Sequence, residues 1–322
     1  MQQMVMGISL LLAVLTLGSF IVGEGQELVT GSPPPLSNPL KVALLKWYGA
    51  NRVPTTFPVG KQPYGVAFDG ANIWVANWAA GSVSKLRAND GETLGTFSLG
   101  GKPYGVTFDG ANIWVSNVGN GNVTKLRASD GTKLDTIPVG QNPGWMAFDG
   151  ANIWVPNGAN FVAKLRASDG KNMGTFTVGN GPIMSAFDGA NVWVTKGGDG
   201  TVSKLRASDG KNMGTFNPGG AFGIAFDGSS MWITNRGGGS VSKLRASDGT
   251  VLGTFSTPGE PYGLAFDGTN IWVAGAPYIF ELRASDGAQV GFFAPPTNTI
   301  GLAFDGANVW VTGLNVNSVG KL

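Results

Sequence analysis

The chain of 322 residues has no histidine and no cysteine. Without imidazole there is no general base that titrates near neutrality of its own accord, no Ser-His-Asp constellation and no histidine metal ligand. Without thiols there is no disulfide and no thiolate metal site, and the redox compartment leaves no mark on the sequence. Charge is also scarce: 13% of the residues are Asp, Glu, Lys or Arg, and the formal net charge is +2. The basic residues recur singly along the chain instead of clustering, which argues against a nucleic-acid surface, whose footprint is a basic patch. No apolar spacing of the helical kind occurs in the repeated part of the sequence.

What is there is repetition. A variant of PYGVAFDGANIWVAN followed by SVSKLRASDG and LGTF recurs seven times, its first Asp falling at Asp69, Asp109, Asp149, Asp188, Asp227, Asp267 and Asp305, in steps of 40, 40, 39, 39, 40 and 38 residues. Each unit holds four short runs rich in Val, Ile, Phe, Trp and Thr, separated by Asp-Gly and Asn turn formers. Four antiparallel strands per unit, repeated at a fixed period near forty, predict an all-β, seven-bladed β-propeller. The last unit stops at Leu322, the counterpart of Leu86 in the third strand, so its fourth strand must come from elsewhere. Thr55 to Gly60 imitates Thr96 to Gly100, and residues 52–60 are therefore expected to complete the seventh blade and close the ring without an open edge. The propeller is expected to occupy residues 42–322.

Ahead of it, Gly7 to Gly23 form an apolar run and Glu24 to Pro39 an acidic, Pro-rich stretch. Residues 1–23 read as a signal peptide or an uncleaved anchor, and residues 24–41 as a linker. Either reading places the propeller outside the cytoplasm: secreted, periplasmic or on the cell surface, with membrane contact only through the anchor. A monomer is expected.

Most carboxylates lie in the repeated Asp-Gly turns. A calcium site needs six to eight converging oxygens, whereas each turn offers one Asp and one Asn or Ser, so hairpin chemistry is the expected role. No metal, no cofactor and no catalytic residue is assigned. The strand-two tryptophans, Trp74 to Trp310, are expected to pack between blades. Lys85 and Arg87, with their repeats, flank a buried Leu86, and their charged heads are expected at the rim or on a turn Asp.

A local function should lie where the copies differ, on the end of the ring opposite the Asp-Gly turns. Four residues before the Asp, five units carry Gly65, Gly105, Gly223, Gly263 and Gly301, whereas adjacent units three and four carry Trp145 and Met184. Glycine there lets the first strands crowd the central channel. Two bulky side chains side by side either plug it or wall a ligand hollow. Around them the loops bring Asn142, Asn160, Asn180, Lys196, Asp199 and Arg236, and Tyr64, Trp78, Tyr104 and Tyr262 could form an aromatic rim. An apolar hollow with a few polar groups is the usual form of a ligand site; a small molecule, a glycan or a protein would suit it.

The run Pro63 to Gly70, with Asn72 to Asn77 and Gly81 to Gly91, resembles the repeats of the streptogramin (virginiamycin B) lyase-like propellers and their YVTN and NHL relatives, over nearly all of residues 45–322. The resemblance implies a seven-bladed ring and, for the lyases, a metal-assisted elimination site on the top face with histidine as the base. This sequence has no histidine to receive that role, so the activity does not carry over residue by residue. Two readings follow: a binding or scaffold propeller without catalysis, or a divergent lyase or hydrolase that uses Asp199, Glu260, Lys196 or a tyrosine.

Overall fold

Alternating β-branched and aromatic residues turn each repeat into a meander of four short strands, because a pleated strand buries one set of side chains against each neighbouring blade. The computed structural model describes residues 55–293 and 298–322. The expected leader, linker and residues 42–54 lie outside the described residues. Seven four-stranded antiparallel sheets are present. In blade one the strands are Pro63–Phe68, Asn72–Asn77, Ser82–Arg87 and Thr93–Ser98, paired in that order from the inside outwards. Each first strand abuts the first strand of the next blade, all the way round.

The ring closes as the sequence predicts. Thr55–Pro58 pairs with Ser318–Lys321, with Phe57 opposite Val319, and forms the outer strand of a seventh sheet with Thr299–Phe304 and Val309–Gly313. Phe57 lies 5.4 Å from Trp310, as Phe97 lies 5.5 Å from Trp74 in blade one. All seven strand-two tryptophans are buried.

Each Asp-Gly turn does more than turn. Asp69 Oδ1 accepts the backbone N–H groups of Ala71 and Asn72, and Oδ2 accepts the indole N–H of Trp74 at 2.8 Å. The same indole bond recurs in the other six blades at 2.7 Å. A buried indole needs an acceptor, and the carboxylate that shapes the turn supplies it.

The lysines correct the sequence expectation. Lys85 does not reach the rim; it is 6% exposed and donates to the carbonyls of Ala128 and Ser129 in the next blade at 2.7 and 2.9 Å. Its ammonium also sits 5.2 Å from the Trp74 ring. Lys125, Lys164, Lys204, Lys243 and Lys321 repeat the bond to the next blade's turn. Burying the cation is tolerable because it gains two carbonyls and a ring face at once. Blade six has Glu281 at this position, bonded to Asn270 within its own blade. Its neighbour, blade seven, pairs Ser318–Lys321 with Thr55–Pro58, and among the described residues no hairpin joins these two strands to offer carbonyls. The arginines follow expectation: Arg87 pairs with Asp90 at 2.8 Å, both exposed.

Candidate functional site

The first strand descends from the variable loops, and its second residue sets the rim of the channel mouth. Around the ring this position holds Tyr64, Tyr104, Gly144, Ile183, Phe222, Tyr262 and Ile300. Tyr64 and Tyr104 are 5.2 Å apart, and Phe222 meets Tyr262 edge-on at 5.7 Å. Blade three alone has no side chain there: a Cβ on Gly144 would stand 1.9 Å from the carbonyl oxygen of Ile183, so the backbones of blades three and four touch at this point. Both Gly144 and its flanking rim residues Tyr104 and Ile183 line a hollow of about 760 Å³ that reaches from blade one to blade five. Glycines make up eight of its eighteen lining residues, so much of the wall is bare backbone. Trp78, Tyr104, Ile183 and Phe222 supply apolar surface, Asn142 an amide, and Arg236 the only charge in the wall.

Five blades confirm why the next position is glycine. A Cβ on Gly65 would stand 2.3 Å from the carbonyl oxygen of Tyr104, and one on Gly223 2.0 Å from that of Tyr262. Trp145 fits because blade three pairs differently. In blade five the N–H of Thr234 donates to the carbonyl of Gly223. The counterpart of Thr234 in blade three is Pro156, which has no N–H to give. The carbonyl of Trp145 is therefore left for blade four, where Ser185 donates to it from its backbone at 3.0 Å and its hydroxyl at 3.1 Å. Strand one of blade three shrinks to Ala147–Phe148 as a result. Pro156 was the sequence signal of this irregularity, and it did not stand out among the candidates.

The structure places neither Trp145 nor Met184 in the lining of the hollow. Both lie one residue further from the mouth. Met184 is 3% exposed in a core cluster with Trp193, Ile224 and Met231, and Trp145 packs on the same cluster, 5.9 Å from Tyr104. The indole N–H of Trp145 is buried without a hydrogen-bond partner.

Of the other candidates, Tyr104, Asn142, Arg236 and Trp78 line the hollow. Asn142 holds a left-handed φ of 49°, a conformation Asn tolerates better than other non-glycine residues. Lys196 is buried beside it but outside the lining; its ammonium is 3.3 Å from Asp199 Oδ2. Burial pushes the Asp199 carboxyl up, and the Thr201 hydrogen bonds with Lys196 outweigh this and hold it below the usual range. Asn180 packs over Gly198, whose backbone lines the hollow, and Asn160 contributes its carbonyl to Val178. Burial, with a smaller push from Tyr64, raises the Tyr104 phenol to about 12.

Arg236, Glu260 and Tyr262 form one cluster contributed by blades five and six. Arg236 Nε donates to Glu260 Oε2 at 3.1 Å, and the Tyr262 hydroxyl donates to the same oxygen at 2.9 Å. The guanidinium lies 4.7 Å from the Tyr262 ring and 5.5 Å from that of Phe222. The hydrogen bond from Tyr262 first, then that from Arg236, keeps the Glu260 carboxyl below its ordinary value. Burial and the bond to Glu260 push the Tyr262 phenol up. Among the described residues no three carboxylates stand together as metal ligands, so the metal implied by the lyase resemblance finds no ligand set there.

No protein-family model and no curated protein sequence matches the chain. Solved structures do. A streptogramin B lyase superposes with a TM-score of 0.71 at 19% identity, covering 83% of this chain and 96% of the lyase. A hydrazine synthase from Kuenenia stuttgartiensis gives 0.71 at 16% identity, over 84% and 97% of the two chains. The fold is that of a streptogramin lyase-like seven-bladed propeller. At such identity the two neighbours share an architecture while their names describe different chemistries, so the likeness fixes the scaffold and leaves the function to the site.

Proposed function

We propose that this protein is a non-catalytic, extracytoplasmic binding propeller that takes its ligand on the loop face, in the hollow centred on blades three to five. The observation that carries the reading is the hollow itself. It has the size of a small-molecule site, an apolar wall and one charged residue. The apolar run Gly7 to Gly23 supports the location.

The protonation states favour binding over turnover. General acid–base catalysis works best with a group that titrates near the working pH. Here Glu260 is driven down, away from neutrality, and Tyr262 and Tyr104 are driven up. Asp199 is committed to Lys196 and Thr201.

The test is to fill the hollow. Gly237 lines it, and a Cβ there meets nothing within 4 Å. Gly237→Trp in the full chain should leave the melting temperature within about 2 °C and lower the affinity for the neutral fluorescent probe 1-anilinonaphthalene at least tenfold. Undiminished binding would show that the hollow is not the site.

A second reading, a divergent lyase-like enzyme, rests on the Arg236–Glu260–Tyr262 cluster, which unites a carboxylate, a phenol and a fixed cation. Incubation with a streptogramin B lactone separates the two: ring opening that Glu260→Gln abolishes would establish the enzyme, and an intact lactone supports the binding protein.

A further inference from the structure

We infer that the ligand of the hollow is an apolar or aromatic molecule ending in a single oxyanion, which Arg236 receives. The inference rests on the binding reading above and adds the chemical class.

Positive charge is in excess on the loop face. It carries Lys61, Lys102, Lys196 and Arg236 against Asp199 and Glu260, whereas at the other end the turn aspartates are balanced by the repeated arginines and lysines. A cleft with walls of low dielectric concentrates such a field. Lys196 is spent on Asp199. Lys102 has no acidic partner among the described residues; its ammonium lies 4.4 Å from the ring of Trp78, which lines the hollow. An anion entering the hollow therefore meets Lys102 near one end and Arg236 at the other.

Arg236 is built for a planar oxyanion. Its Nε is used by Glu260, and the two nearby rings of Tyr262 and Phe222 fix the plane of the guanidinium. A held guanidinium loses little further freedom on accepting a ligand, and its remaining fork matches a carboxylate or sulfonate. The Arg236 side chain is 46% exposed, so that fork is reachable. One cation in the wall asks for one negative charge. The rest of the lining, with Tyr104, Trp78, Phe222 and the bare glycine backbone, asks for a flat apolar body. Glu260 competes with the ligand for Arg236, which gives the arrangement a signature that a nonspecific apolar pocket lacks.

Two fluorescent probes with the same rings test this: 8-anilinonaphthalene-1-sulfonate, which carries one negative charge, and neutral 1-anilinonaphthalene. In the full chain, Arg236→Met should weaken the sulfonate at least tenfold and the neutral probe less than threefold. Arg236→Gln repeats the measurement should the Met variant melt early. Glu260→Gln should tighten the sulfonate by about threefold or more and leave the neutral probe unchanged. 2-Naphthoate should displace the sulfonate, and 2-naphthylmethanol, of the same size without charge, should not. Parallel losses of both probes in Arg236→Met, weaker sulfonate binding in Glu260→Gln, or equal displacement by the two naphthalenes would each overturn the oxyanion. The Gly237→Trp variant keeps the two ideas apart. If it blocks both probes while Arg236→Met does not discriminate between them, the hollow stands and the oxyanion falls; if both probes still bind, the hollow itself falls.

Discussion

The two ends of the ring are made from the same repeats and obey different rules. At the Asp-Gly end the bonds repeat from blade to blade: carboxylate to indole in all seven, and lysine to the neighbouring turn in six. At the loop end, equivalent positions hold Tyr104, Gly144, Ile183 and Phe222 in four successive blades. Uniformity marks what the ring needs for closure, since each blade interface must bury the same tryptophan and satisfy the same polar groups. Variation marks what the ring is free to spend on a ligand. Even the exception follows this logic, for Glu281 replaces the lysine where the next blade offers no turn among the described residues.

The largest effect should come from the uniform end. Trp193→Ala empties a fully buried site and leaves Asp188 without its indole partner. It should cost about 3–5 kcal/mol by denaturant titration, and a cost under about 1 kcal/mol would place the tryptophan ladder outside the core.

A smaller loss is expected for Lys204→Met. The methionine keeps the stem over Trp193 but leaves the carbonyls of Ala246 and Ser247 without their donor. Hydrogen bonds to a charged group are worth about 1.5–3 kcal/mol, and a loss in that range is the expected result. The converse, Glu281→Lys, should bring no gain, because blade seven offers no matching turn among the described residues. A stabilised Glu281→Lys would break the explanation of the exception.

The smallest effect is a pH dependence. Burial raises the carboxyls of Asp149, Asp188, Asp227 and Asp305, but the indole bond and the backbone N–H groups outweigh it and leave them below the ordinary value. A carboxylate whose pKa is depressed by folding contributes stability above its unfolded pKa and loses it as the pH falls through the folded one. The melting temperature should therefore be flat from pH 5 to 8 and fall below about pH 4, near the unfolded aspartate pKa. A flat profile down to pH 2 would detach these turns from the stability of the ring.

Much of this was legible in residues alone. Repeat spacing, the Asp-Gly turns and the copy of TFSLG ahead of the first unit led to seven blades closed by Thr55–Pro58. The direction of the lysines was not legible, because nothing in Lys-Leu-Arg tells that a carbonyl of another blade stands 2.7 Å from Lys85. Trp145 and Met184 were conspicuous for their size, whereas the hollow is walled in large part by glycine backbone from several blades, which no single position of the sequence announces.

The sequence by itself determined the architecture, because turn chemistry and strand periodicity act between residues a few places apart and repeat with the chain. Only the tertiary structure decided the site. The cluster of Arg236 with Glu260 joins residues 24 apart on different blades. The pairing of Trp145 with Ser185 crosses 40, and it turns on the N–H that Pro156 lacks. Such contacts depend on how one blade is set against the next, and that is fixed by the closure of the whole ring.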